Sequence, residues 1–237
     1  MKKLLIVGIA AACFSAAPAN AQAPIFNWSG FYVGGHVGYE KSKLDVLNPA
    51  FPPGFNFKNH DAVFGGHIGA QQQWGQLVLG LEVDLTRTFQ DSQSNGLTCF
   101  APGPQLTPGG LGTCESGLRQ LLTGGGRLGW ALGTWMPYFS AGYAKGNFDF
   151  KGRTINTKIV NEVADANVTG WYYGGGVEMV VIGNLLFGID YRHYDFGSKT
   201  VAARTPGGLF LENARFDSPS SDVITARFTF LFGGGGR

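Results

Sequence analysis

Seven ionisable residues of opposite sign lie on the polar side of segments in which apolar and polar residues alternate. They are four acids and three arginines: Glu82, Asp84, Glu178, Asp190, Arg127, Arg192 and Arg227. Two carboxylates spaced as Glu82 and Asp84 are the residue types of general acid–base catalysis. Arginines mixed with carboxylates equally suit a charged channel lining or a buried ion-pair network. The elements that carry these residues decide between the three readings.

The segment 77–88 shows what kind of element this is. Its odd positions are aliphatic and its even positions are small or polar: Leu77, Leu79, Leu81, Val83 and Leu85 against Gly80, Glu82, Asp84 and Thr86. Because successive side chains of a strand point to opposite faces, this pattern predicts a strand with one apolar and one polar face. The segment 223–232 repeats it, with Arg227 on the polar face and Phe228, Phe230 and Phe232 on the apolar face.

The same alternation predicts eight strands in all. We place them at about 30–41, 61–74, 77–88, 119–132, 135–147, 168–181, 185–196 and 223–232. Connections near residues 75, 133 and 183 are two or three residues long, whereas 42–60, 89–118, 148–167 and 198–221 are long and polar. Short turns alternating with long loops indicate an all-β, eight-stranded antiparallel transmembrane up-and-down β-barrel, with short periplasmic turns and long outer loops.

Alternation alone does not say which face points outward, since a soluble eight-stranded barrel has an apolar interior. Here the polar face is rich in glycine, which suits a crowded lumen, and nearly all lysines fall in predicted loops or at strand ends. Trp74, Trp130 and Trp171 lie near strand ends on the apolar face, where aromatic belts form at membrane interfaces. We therefore expect the apolar face to contact lipid.

The two ends of the chain differ in composition from the predicted barrel. Residues 1–21 read as a signal peptide, with Lys2 and Lys3 before an apolar core and a small-residue cleavage site. Residues 22–232 form the predicted barrel, and residues 233–237 form a glycine-rich tail. Without the signal, 16 basic residues balance 16 acidic ones, so nothing favours nucleic-acid binding. No run of 18 uninterrupted apolar residues follows the signal, so no transmembrane helix is predicted.

The inward charges have two interpretations that the sequence leaves open. An eight-stranded barrel is just wide enough for side chains to fill it, so a plugging network of arginines and carboxylates is favoured over a charge-lined channel. His36 and His67 also point inward and could bind a metal or haem, but hydrogen-bonded filler is the favoured reading. A haem contact at His193 is the weaker alternative. We expect no metal site, no cofactor and no catalytic residue, because no nucleophile, phosphate-loop or metal-ligand motif is present.

Two cysteines remain after the signal, Cys99 and Cys114, in the longest predicted loop. In an exported chain they are expected to form one disulfide, which would add about 3 kcal/mol in the loop-entropy account. Two free thiols are the alternative.

Several short stretches are similar to one family in the same order along the chain. They are Trp28–Gly35, Gly126–Trp130 with Pro137-Tyr138 following, Gly170-Trp171 leading to Gly176–Glu178, and Asp190–Gly197. Together they resemble the small outer-membrane β-barrels of alphaproteobacteria, the porin-family or opacity-type surface proteins related in architecture to the OmpA transmembrane domain. The resemblance implies a barrel of the bacterial outer membrane that supports envelope integrity and is exposed at the cell surface as an antigen or adhesin. Some members of this family are described as pores and some as haemin binders.

The resemblance also implies an assembly signal in the last strand, carried here by Phe228, Phe230 and Phe232. The chain departs from the family in continuing past Phe232 with Gly233–Arg237. The expected partners are outer-membrane lipid and lipopolysaccharide, the barrel-assembly machinery and periplasmic chaperones, and a host or cell-surface ligand at the loops. The favoured function is a monomeric structural surface barrel that is not an enzyme. The alternatives are a small diffusion porin and a surface receptor for haem or another ligand.

Overall fold

The computed structural model describes residues 26–47, 55–89, 97–100, 111–154, 160–204 and 206–235. The predicted signal peptide and the last two residues of the tail lie outside these ranges. The described chain forms ten strands: β1 (Gly30–Leu47), β2 (Phe55–Trp74), β3 (Leu77–Thr88), β4 (Leu97–Phe100), β5 (Leu111–Trp130), β6 (Trp135–Thr154), β7 (Val160–Ile182), β8 (Leu185–Phe196), β9 (Lys199–Arg204) and β10 (Phe210–Phe232).

Eight of these strands close into a ring. Neighbours pair antiparallel in the order β1-β2-β3-β5-β6-β7-β8-β10, and β10 pairs back onto β1 from Phe31↔Phe232 to Leu47↔Arg215. The short strands β4 and β9 pair with β5 and β10 beside the ring. The predicted eight-stranded antiparallel barrel is thus confirmed. Among the described residues, no helix is long and apolar enough to cross a bilayer.

The three tight turns each contain a glycine that the backbone requires. Gly75, Gly133 and Gly183 have φ values of 61°, 70° and 55° at the β2–β3, β5–β6 and β7–β8 connections. Residues with a Cβ adopt this left-handed region at a cost, and glycine does not. The turns fall where the sequence predicts them.

The outer face of the ring carries an apolar belt. Phe31 and Leu81 are each 72% exposed, and the outward apolar residues of the other barrel strands are exposed as well. The periplasmic edge of the belt carries three exposed tryptophans, Trp74, Trp130 and Trp135. Tyr39, Tyr143 and Trp171 mark its opposite edge, and the rings of Tyr143 and Trp171 meet edge-on at 6.0 Å. Aromatic side chains at two levels are typical of a barrel that spans a membrane.

The strands run well beyond this belt, which corrects the predicted long loops. Most of residues 42–60, 148–167 and 198–221, and the second part of 89–118, are strand in the structure. Past the outer aromatic level the two faces exchange polarity. On β6, exposed Tyr143 is followed outward by Lys145 and Asn147, while Ala144 and Phe148 are buried inside. Above the lipid the outer face meets water. The alternation therefore continues with polar residues outside and apolar residues inside. We call this part of the barrel the extension.

The interior is filled in three layers. The extension encloses an apolar cluster, the upper plug: Leu44, Val63, Leu118, Leu121, Ala144, Phe148, Ala164, Ala166, Val168, Tyr172, Tyr194, Phe196, Phe216 and Val223. The periplasmic end holds a second apolar cluster, the lower plug: Phe26, Trp28, Tyr32, Val78, Ala131, Met136, Leu186 and Leu231. The seven predicted ionisable residues lie buried in the membrane-spanning part of the ring.

The glycine tail folds back against the periplasmic end. Asn27 and Gly235 exchange two backbone hydrogen bonds of 3.2 and 2.9 Å, and the Asn184 side chain donates to Leu231 O at 2.8 Å. Residues 233–235 therefore continue the packing of the last strand instead of projecting from it.

The predicted disulfide falls on the β4–β5 hairpin. The register pairs Leu97 with Cys114 and Cys99 with Gly112, so the two cysteines are offset by two positions. Diagonal neighbours in a sheet are about 7–8 Å apart, at or beyond the usual Cα separation of a disulfide. The Cys99–Cys114 bond stays a prediction that needs a change in this local register.

Candidate functional site: the charged interior layer

The charged layer consists of the seven ionisable residues between the two plugs. It draws Glu82 and Asp84 from β3 and single residues or pairs from four other strands: Arg127 (β5), Glu178 (β7), Asp190 and Arg192 (β8), and Arg227 (β10). Each side chain is at most about 6% exposed. All seven point inward because they occupy the strand positions opposite the lipid-facing ones.

Glu82 is the centre of the layer. Arg192 Nη2 donates to its Oε1 at 2.6 Å, and Arg227 Nη2 donates to its Oε2 at 2.6 Å. The Tyr32 hydroxyl, from the lower plug, donates to the same Oε2 at 3.0 Å. One buried carboxylate thus ties β1, β8 and β10 to β3 across the lumen. Charge-assisted bonds of this length are the strong ones.

The remaining arginine extends the network to the other side of the barrel. Arg127 Nη2 donates to Glu178 Oε2 at 2.8 Å, and its guanidinium carbon lies 4.0 Å from the centre of the Tyr138 ring. The Tyr138 hydroxyl in turn donates to Asp190 Oδ2 at 2.6 Å. The network is therefore continuous from Glu178 through Tyr138 to Asp190.

Glycines on the inner face provide the space for these large side chains. A Cβ at Gly80 would lie 3.0 Å from Arg127 Cγ, and a Cβ at Gly125 would lie 2.5 Å from the Tyr172 hydroxyl. At Gly69 it would meet the Tyr32 ring at 2.3 Å. The sequence predicts a crowded lumen from its glycine-rich polar face. In the structure these glycines leave the space that the arginine and tyrosine side chains occupy.

The lower plug contains residues that the sequence analysis did not assign to the interior. Trp28 is fully buried, and its indole Nε1 donates to Gly133 O at 3.2 Å. Gln71 Nε2 donates to Trp28 O at 2.7 Å, and the Phe26 ring packs edge-on against Trp28 at 5.0 Å. The segment precedes the first strand, so strand periodicity gave no signal for it.

The predicted histidines separate into two environments. His36 and His67 are buried beside Asp84, with their rings stacked 5.9 Å apart. His193 instead lies on the outer surface, where its Nδ1 is 2.7 Å from Asp222 Oδ1 and Tyr191 donates to the same oxygen. The structure therefore does not bring His193 to the lumen.

The outer surface just above the belt carries a basic rim on β1 and β2, made of Lys41, Lys43, Lys58 and His60. Lys43 and Lys58 are directly opposite each other in the register, as are Lys41 and His60, and all four are exposed. Lys43 and Lys58 carry like charges in directly opposite positions and repel one another, whereas Lys41 is also opposite Asp222 on β10. The rim is thus suited to binding an anion.

A carboxyl pair lies higher on the extension. Asp149 and Asp165 are directly opposite on β6 and β7, and Arg119 Nη1 is 3.2 Å from Asp149 Oδ2. Burial and the neighbouring Asp165 carboxyl raise the pKa of Asp149 above its ordinary value, against the attraction of Arg119. The charged form of Asp149 is therefore disfavoured in the folded protein.

A closed antiparallel ring with an exposed apolar belt and two aromatic levels defines an integral β-barrel protein of the bacterial outer membrane. The sequence comparison agrees. Residues 9–232 match the family described as "Outer membrane protein beta-barrel domain", and the chain belongs to that family.

Two similar relatives are outer-membrane proteins of alphaproteobacteria. The chain is 28% identical over 217 residues to the 25 kDa outer-membrane immunogenic protein of Brucella melitensis biotype 1, covering 84% of this chain and 86% of the relative. It is 27% identical over 180 residues to the 22 kDa outer membrane protein of Rhizobium leguminosarum bv. viciae, covering 74% and 68%. The predicted family and location are confirmed.

Similar solved structures include OprG from Pseudomonas aeruginosa, at 11% identity and a TM-score of 0.48, covering 86% of this chain and 97% of that one. Neisserial surface protein A gives 15% identity and a TM-score of 0.42, covering 86% and 98%.

Proposed function

We propose that this protein is a structural surface barrel of the outer membrane whose lumen is closed to solutes. The observation that carries the proposal is the stacking of the charged layer between two apolar plugs. A conducting path would have to pass both plugs and then break ion pairs such as Arg227–Glu82, at 2.6 Å. Breaking a buried pair leaves an uncompensated charge at a cost of about 3–5 kcal/mol.

The first alternative, a small diffusion porin, requires that this layer open. The second, a haem receptor, requires an accessible ligand. His36 and His67 are sealed inside the barrel, and His193 is held by Asp222 on the outer surface. His60 is exposed, but its ring stacks on Tyr39 at 6.0 Å at the edge of the apolar belt. The structure therefore favours the closed barrel over both.

We also propose that the protein has no catalytic residue. The carboxylate pair that resembles an acid–base site, Glu82 and Asp84, is buried and hydrogen-bonded inside the barrel. Glu82 bonds to two arginines, and Asp84 Oδ1 accepts from the Thr86 hydroxyl at 2.8 Å. Neither carboxylate is open to a substrate.

The surface role belongs to the extension. Its basic rim lies at the level where the phosphates of lipopolysaccharide meet the barrel wall, and Tyr39, stacked on His60 at 6.0 Å, marks the boundary with the apolar belt. We propose that the rim binds these phosphates and that the hairpins above it present the surface to a host or cell-surface ligand. Phe228, Phe230 and Phe232, exposed on the belt, are the proposed signal for the assembly machinery and its chaperones.

The test is planar-bilayer conductance of the refolded, signal-free protein. We expect no steady current from the unmodified chain. If the charged layer is the barrier that limits passage, Arg127→Ala should raise conductance, because it removes the ion pair with Glu178 and the side chain that lies against Tyr138. Thr123→Ala, at a buried position of the same strand that carries no charge, is the matched control and should stay silent. Steady, ion-selective current from the unmodified protein would overturn the closed-barrel proposal and support the porin.

A further inference from the structure

Two histidines and an aspartate converge inside the barrel wall at β1, β2 and β3. One nitrogen of each imidazole, from His36 and His67, and one carboxylate oxygen of Asp84 lie within 4.8 Å of one another, and all three residues are buried. Asp84 is directly opposite His67 in the β2–β3 register. These are the ligand types that zinc and other first-row transition metals prefer.

Neighbouring glycines fix the positions of the two rings. A Cβ at Gly65 would meet His36 Nε2 at 2.5 Å, and a Cβ at Gly34 would meet His67 Nε2 at 2.4 Å. Each imidazole therefore lies against the bare backbone of the adjacent strand. A side chain larger than hydrogen at either glycine would displace it.

The hydrogen bonds of Thr86 determine which nitrogen of His36 carries the proton. The Thr86 hydroxyl donates to Asp84 Oδ1 at 2.8 Å, so its oxygen must accept from His36 Nε2 at 3.0 Å. In a neutral His36 the lone pair is then on Nδ1, which lies 3.4 Å from Asp84 Oδ2 without a hydrogen bond. Two electron pairs face each other at this distance, an arrangement that a cation between them would stabilise.

His67 offers a second free nitrogen. Its Nε2 is hydrogen-bonded to Thr229 Oγ1 at 2.9 Å, and its buried Nδ1 has no hydrogen-bond partner among the described residues. A metal-bound histidine ordinarily bonds its other ring nitrogen to a neighbouring acceptor, which sets the tautomer and ring orientation. Thr86 and Thr229 are placed for that function.

The charge of the surroundings also admits a cation. The charged layer holds four carboxylates against three arginines, so it has one excess negative charge when both histidines are neutral, which offsets half of the charge of a divalent ion. A buried charge is tolerated when it is compensated nearby.

We propose that His36, His67 and Asp84 form a binding site for one divalent first-row transition-metal ion such as Zn²⁺. Ligands about 2.0–2.2 Å from a tetrahedral ion are roughly 3.4 Å apart, so small side-chain rotations close the site. The ion would join β1, β2 and β3 next to the β1–β10 seam. Its role is to stabilise the barrel wall, independent of whether the lumen conducts.

The experiment refolds the untagged chain with Zn²⁺ or with a chelator, desalts it and measures bound metal and thermal stability. The sequence has four histidines, so His60→Ala together with His193→Ala leaves the proposed pair as the only histidines, and Cys99→Ser with Cys114→Ser in the same background removes the two barrel thiols that could also bind the ion. This combined variant should keep about one ion per chain and melt at a higher temperature with metal. Adding His67→Ala to it should abolish both effects.

Refolding with Co²⁺ allows the bound ion to be detected by its visible absorption while the three proposed ligands are intact. A tetrahedral nitrogen and oxygen site should give visible ligand-field absorption in the combined variant, and Asp84→Asn should alter it. Folded barrel without bound metal or spectrum would overturn the proposal. A protonated His36 at neutral pH, seen by ¹⁵N NMR in metal-refolded protein, would also overturn it, since a proton would then occupy the position assigned to the ion.

Discussion

Glu82 and Arg227 are 145 residues apart in the sequence and 2.6 Å apart in the lumen. Their pairing joins the third strand to the last one across the interior, independently of the hydrogen-bond ladder that runs around the ring. The barrel is thus held by two systems: the backbone pairing of its wall and the side-chain pairing of its charged layer.

Removing the central carboxylate charge should destabilise the whole barrel. Glu82→Gln leaves Arg192 and Arg227 without their shared anion, and we expect a loss of about 3–5 kcal/mol in unfolding free energy. Urea titration of the barrel in detergent or lipid measures it. Asp195→Asn, at an exposed position near the end of β8, is the control and should change stability by less than about 0.5 kcal/mol. Equal effects from both variants would refute the central role of Glu82.

Two adjacent glycines test whether the lumen is filled. A Cβ at Gly125 would lie 2.5 Å from the Tyr172 hydroxyl in the lumen and 2.3 Å from the Ala141 carbonyl oxygen of the wall, whereas a Cβ at Gly124 would meet nothing within 4 Å. Gly125→Ala should therefore cost about 1–3 kcal/mol by overpacking. Gly124→Ala should be neutral or slightly stabilising, because it restricts the unfolded chain. The comparison uses the same unfolding titration, and a tolerated Gly125→Ala would mean that the lumen has room to spare.

The extension should lose stability as pH rises past the ordinary range of an aspartate. The pKa of Asp149 is raised above 3.8 in the folded state, so the neutral carboxyl stabilises the fold and this contribution disappears as pH climbs through the raised pKa. Asp149→Asn should remove this pH dependence and make the extension more stable at neutral pH. Hydrogen exchange of β6 and β7 amides from acid to neutral pH measures it. A larger pH dependence in the variant would contradict the assignment.

Reversing charge on the basic rim should weaken binding of phosphorylated glycolipid. Lys43→Glu and Lys58→Glu, each made singly, replace exposed lysines that face each other across β1 and β2. We expect several-fold weaker binding of purified lipopolysaccharide to barrel in detergent, with a reduced dependence on salt. Lys145→Glu is the matched control, because this exposed lysine is opposite Thr169 and Leu122 without a second cation. Equal loss at Lys145 would show a diffuse charge effect.

The lipid-facing half of the fold was predictable from the sequence. On β3 every second residue from Leu79 to Leu85 is exposed, as the alternation requires. Alternation of apolar and polar residues with a period of two predicts both the strand and the face to which each side chain points. It does not give contacts, because the partner of Glu82 depends on how a strand 145 residues away closes the ring.

The extension was not predictable by the same rule. Phe148 and Phe216 fall in segments predicted as polar loops, yet both are fully buried in the upper plug. Their neighbours on the other face are polar because that face meets water. A prediction that requires the apolar face to point outward places the end of each strand too early. It stops at the level where the outer face passes from lipid to water.

The exchange of polarity along each strand has a consequence for the order of assembly. The outer face of the extension carries Lys41, Lys43 and Lys58, and each lysine costs about 2–4 kcal/mol at the middle of a bilayer. Insertion of a finished barrel would carry these charges through the hydrocarbon of the membrane. We therefore expect the hairpins to reach the far side while the wall is still open, with the seam from Phe31↔Phe232 to Leu47↔Arg215 sealing afterwards.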